Sequence, residues 1–170
     1  MEKQYITILI ESLQKKSAIL SELIGNSKNQ AALLKEDMVD WDAFDRGTDA
    51  KSDLINALNQ LDQGFETVFA HVGELLQSPE GKKTYAQQIR TLQELITEVT
   101  DKSVELQADE ARNKAAVEKK FQEYRAGIRK GRTSSRVAYG YYQNMNQMNY
   151  LPPQLSLIHI SEPTRHLRIS

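Results

Sequence analysis

Apolar side chains recur along this chain at alternating steps of three and four residues, in three long runs. Ile6, Ile10, Leu13, Ser17, Leu20, Ile24, Ser27, Ala31 and Leu34 make the first. Leu54, Leu58, Leu61, Phe65, Val68, Val72 and Leu75 make the second, and Tyr85, Ile89, Leu92, Ile96, Val99, Ser103 and Leu106 the third. A mean step of about 3.5 residues sets each run on one face of an α-helix, and such faces are buried against one another. Flanking residues (Leu9, Leu23 and Leu33; Ile55, Phe69 and Leu76; Leu95 and Val104) widen each stripe enough to meet two neighbours. The predicted fold is therefore all-α: an antiparallel bundle of three long helices with a flexible C-terminal tail. On this pattern Leu58 and Val68 belong to the core, Lys51 and Glu74 to the solvated surface.

Capping and breaking residues set the boundaries. Helices are expected at about 2–36, 40–77 and 82–129, giving a bundle over 1–131. Asp40 can cap a helix that starts at Trp41, which keeps Trp41 and Phe44 on a helical face; Asp49 is the later alternative. Ser78-Pro79-Glu80-Gly81 reads as a turn, and so short a connection makes the helices on either side antiparallel. Counting back from that turn, the second helix runs out of length near residue 120 of the third. Phe121, Tyr124 and Ile128 then either overhang as an open apolar face or are covered by the connection at 37–40. Glu110 and Asn113 fall where the third stripe calls for apolar residues, which predicts a partly open or solvated seam there.

Beyond the third helix the texture changes. Lys119, Lys120, Arg125, Arg129, Lys130, Arg132 and Arg136 cluster around the single acid Glu123, at a helix C-terminus where the helix dipole favours cations. Residues 132–154 then read as a flexible tail, with Gly140 and no continuing stripe. Of the chain's seven tyrosines and four methionines, Tyr139, Tyr141, Tyr142, Tyr150, Met145 and Met148 lie here, and such residues are adaptable interface anchors. The remaining 155–170 open with Leu155-Ser156-Leu157-Ile158-His159-Ile160-Ser161-Glu162-Pro163-Thr164-Arg165, which resembles the in-frame translation of a sequencing-library adapter and is set aside as non-native.

Composition removes most chemistry. The formal charge of −1, from 22 basic and 23 acidic residues, gives no global field to recruit nucleic acid or an acidic membrane. With no cysteine there is neither a disulfide framework nor a thiolate metal site. No run of about 18 apolar residues suggests a membrane span. Met1-Glu2-Lys3-Gln4 does not open a signal peptide, so a cytoplasmic location is expected. His71 sits on the second helix beside Val72 with no partner nucleophile, and His71 with Glu74 supplies only two metal ligands. No catalytic residue, metal or cofactor is assigned, and the chain is read as a non-enzyme.

Trp41-Asp42-Ala43-Phe44 leads into Lys51 and then Leu54-Ile55-Asn56-Ala57-Leu58-Asn59-Gln60-Leu61-Asp62-Gln63-Gly64-Phe65-Glu66. Followed by a helix with a basic end and by Tyr139-Gly140-Tyr141-Tyr142, this resembles the FlgN-like flagellar export chaperones over roughly 2–154. The FliT-type chaperones are the nearest alternative. The resemblance implies a cytoplasmic chaperone of hook–filament junction proteins that binds their C-terminal helices and prevents premature assembly. It also implies delivery to the type III export apparatus, with export gate or ATPase components as further partners. A monomer or weak homodimer is expected, without nucleic acid and without stable membrane insertion. The residues themselves leave two other classes open: a structural coiled-coil scaffold and a nucleic-acid-binding regulator. The candidate client-binding set is Phe121, Tyr124, Ile128, Tyr139, Tyr141, Tyr142, Met145, Met148 and Tyr150, with the basic cluster steering acidic client flanks.

Overall fold

The computed structural model describes residues 1–126 and 135–144. They form five helices, α1 (Glu2–Leu34), α2 (Trp41–Gln77), α3 (Pro79–Thr84), α4 (Ala86–Ala126) and α5 (Arg136–Asn144), and no strand among the described residues. The fold is all-α. Asp40 caps α2, its carboxylate accepting the Ala43 amide at 3.0 Å. Ser78 caps α3, accepting the Gly81 amide at 3.0 Å with Pro79 at the first helical position, where its missing amide costs nothing. The third long helix expected from residue 82 thus starts later, at Ala86, and residues 82–84 join 79–81 of the expected turn in the separate α3.

The chain divides into two compact units, and α1, α2 and α4 each contribute to both. In unit 1 (1–20 and 57–103 among the described residues) Ile6, Leu9, Leu13, Phe65, Val72, Leu76, Ile89, Leu92, Ile96 and Val99 are buried. Contacts fix the helix directions. Tyr5 stacks on His71 at 5.0 Å, and Lys16 bonds Asp62 at 2.6 Å, so α1 and α2 are antiparallel there. His71 is exposed, and its ring serves this stack.

Unit 2 takes 21–56 and 104–144 of the described residues. Asn26 donates to the Gly47 carbonyl at 3.1 Å and Gln30 to that of Phe44 at 2.8 Å, again an antiparallel α1–α2 pair. Along α1 and α4 the partners rise together, from Ser27 with Glu110 to the Glu36 carbonyl with Lys120, so those two are parallel.

Three sequence expectations change. Lys51, expected in solvent, is wholly buried. Glu110 and Asn113, expected to open the seam, are 0% and 3% exposed and fully engaged. On α2, Phe65 and Val72 of the predicted stripe and its flank Leu76 are buried, as are Thr48 and Lys51 before it, while Leu54, Leu58, Leu61, Val68 and Leu75 are only half-buried. The reason is pairing. Each polar residue on the buried line meets a complementary one from another helix, so the stripe runs on through polar positions that a purely apolar pattern skips.

Candidate functional site

The site is built in unit 2 from α4, α5 and the connection entering α2. α5 forms because Ser135 caps it: the hydroxyl accepts the Ala138 amide at 3.0 Å and donates to Asp45 at 2.6 Å. Ala138, Tyr141 and Tyr142, at offsets of three and four, make its buried face. That face joins Leu34, Val39, Trp41, Phe44, Val117, Phe121 and Tyr124 in one hydrophobic cluster. Trp41 lies at the centre, its ring 5.3 Å from both Phe44 and Phe121. Residues 136–144, assigned by the sequence pattern to a flexible tail, are therefore helical, with one face packed. Too short to stand alone, the helix takes its stability from tertiary burial.

Tyr124 settles the alternative left open above. Its hydroxyl donates to the Asp37 carbonyl at 3.0 Å and accepts the Val39 amide at 3.4 Å, so the 37–40 connection does cover it. Phe121 and Tyr124 are 8% and 7% exposed.

Beneath α5 lies a buried polar layer. Lys51 donates to both oxygens of Glu110, at 2.9 and 3.0 Å, and both residues are 0% exposed. Ser27 donates to the same carboxylate, Asn113 to the Ser27 carbonyl at 3.0 Å, and Gln30 to Thr48 at 3.1 Å. The Lys51 ammonium also lies 4.4 Å from the centre of the Tyr141 ring and 5.5 Å from that of Tyr142, a cation–π roof that ties α5 to the layer. Burial pushes the Lys51 pKa below its ordinary value, with the charge and hydrogen bonds of Glu110 opposing the shift. Lys16 in unit 1 is lowered for the same reason, opposed by Asp62.

Along the outer side of α4 and α5 runs a groove of about 600 Å³. Val117, Phe121 and Tyr142 supply its apolar part, Lys114, Glu118 and Arg125 its charges, and Gln122, Gln143 and Asn144 its amides, with Tyr139 on the lip. Tyr139 is 52% exposed, and its hydroxyl accepts from Gln143 at 2.6 Å. Such a surface can hold a polypeptide segment. It offers no nucleophile–base pair, and among the described residues no three His, Cys, Asp or Glu gather into a metal site.

Of the nine candidate residues, Phe121, Tyr139 and Tyr142 line this groove, while Tyr124 and Tyr141 are in the cluster beneath. Ile128, Met145, Met148 and Tyr150 lie outside the described residues. Sequence reading missed Lys114, Val117 and Glu118; Val117 continues the α4 line of Asn113, but the polar residues before it hid that continuation.

These features define an all-α bundle with a buried polar layer and a surface groove of mixed apolar and charged lining. The FlgN protein family matches residues 1–147, and the chain belongs to that family. FlgN proteins are a chaperone family rather than an enzyme family, and membership points to flagellar export. No curated protein and no solved structure matches the chain. No helix among the described residues is long and apolar enough to cross a membrane.

Proposed function

We propose that the chain is a cytoplasmic flagellar export chaperone that holds the C-terminal helical region of hook–filament junction proteins in the α4–α5 groove. It keeps them from assembling early and hands them to the export gate or its ATPase. The observation that carries this reading is the groove itself, with an apolar floor from Val117, Phe121 and Tyr142 and the half-exposed Tyr139 at its lip. An amphipathic helix aggregates through its apolar face unless that face is covered, and a groove of this lining covers it. The rim is polar, which keeps the complex releasable, as export demands. The chaperone acts as a monomer or weak dimer.

The test is calorimetric titration with the C-terminal segment of a hook–filament junction protein from the same genome. The parent chain should bind it. Tyr139→Ala should weaken binding about tenfold, the size of a lost aromatic anchor, and leave thermal stability unchanged because Tyr139 is at the surface. No binding by the parent would reject the reading.

A further inference from the structure

The charges of the groove are ordered along it. Lys114 and Arg125 are eleven residues apart on α4, about three turns or ~16 Å, and therefore lie on nearly the same face. Val117 and Phe121 come between them, and Glu118 is the acid on that stretch of lining. The order along the helix is cation, apolar with a central acid, cation. Tyr142 completes the floor from α5, and the amides of Gln122 and Gln143 add no net charge.

We propose, building on the chaperone reading, that this order selects its occupant: an amphipathic client helix with acidic side chains about three turns apart and an uncharged or basic centre. An acid at each end of the client meets Lys114 or Arg125. An acid at its centre meets Glu118 and is rejected, so Glu118 supplies specificity by repulsion while the two cations supply attraction. The apolar centre covers Val117, Phe121 and Tyr142. Lys114, Glu118 and Arg125 are thus specificity residues, and client binding depends on salt because charges at a rim act mainly on encounter.

The experiment uses the full chain and a fluorescein-labelled C-terminal segment of a hook–filament junction protein from the same genome, at about 50 mM and about 500 mM salt. The Lys114→Glu/Arg125→Glu variant should bind about tenfold more weakly at low salt, with the gap closing at high salt. Glu118→Lys should bind at least as tightly as the parent. A segment whose end acids are changed to lysine should prefer the double variant, a reversal that loss of folding cannot produce; circular dichroism checks that all variants keep their helix. Equal binding by parent and double variant at low salt overturns the inference and leaves the chaperone reading intact. Binding by neither removes both. Self-association of the parent that the double variant abolishes also overturns it, because the occupant would then be a second copy of the chain.

Discussion

Lys51 and Glu110 carry most of what one residue can teach here. Two opposite charges, both 0% exposed, lie inside a helical bundle, where removing charge from water is costly. The pair survives because every polar atom is engaged: Lys51 holds both carboxylate oxygens and faces Tyr141, and Ser27 takes Glu110 as well. Breaking one side should therefore hurt more than removing both. Lys51→Met is expected to cost about 3–5 kcal/mol, and Lys51→Met/Glu110→Leu distinctly less, in urea unfolding. A pH dependence follows with a definite sign. With its folded pKa below the unfolded value, Lys51 carries fewer protons in the folded chain between the two, so stability rises with pH across that interval. Relative to the double variant, the parent should gain stability as pH climbs toward the ordinary lysine value of 10.5 and show the full burial penalty below the interval. A flat difference would mean that Lys51 is not desolvated. This residue was illegible in the sequence because periodicity scores it as polar, and only its partner, 59 residues further along the chain in another element, makes its burial tolerable.

At the scale of elements, the long helices were legible because stripes of about six to eight turns leave little ambiguity, and Asp40 before Trp41 marked a start. The short ones were not. α3 hides in a turn, where Gly81 approaches so closely that an added Cβ would run into the Leu75 carbonyl. Gly81→Ala should lower stability by about 1–3 kcal/mol or more in thermal melts, the usual cost of overpacking; an unchanged melt would mean the turn can yield. α5 was read as tail because nine residues with Gly140 have little helical preference of their own, and what stabilises it is Trp41, Phe44 and Phe121, distant in sequence. Its start is nonetheless specific. Ser135→Ala removes the cap and the bond to Asp45, and should cost about 0.5–2 kcal/mol, seen as faster amide exchange across α5. The same burial places Phe121, Tyr124, Tyr141 and Tyr142 of the predicted client set in the cluster, and Tyr124→Ser should melt early, because it strips an anchor from the cluster and two bonds from the 37–40 connection.

For the whole molecule, the division into two units raises the question of whether they unfold separately. Each of α1, α2 and α4 contributes residues to both units, so cooperative unfolding of the two is expected. Helix propagation is cooperative. The chain is also short enough for all-or-none unfolding to be ordinary. Trp41 provides the test, since it is the single tryptophan of the chain and belongs to unit 2, whereas backbone circular dichroism reports every helix. Ile96 belongs to unit 1 and is 1% exposed. Ile96→Ala should cost about 2–5 kcal/mol and move the tryptophan and dichroism midpoints together by the same amount. Should the dichroism shift while Trp41 fluorescence keeps the parent midpoint, the shared helices do not couple the units, and a client at the α4–α5 groove would feel nothing of what happens in unit 1.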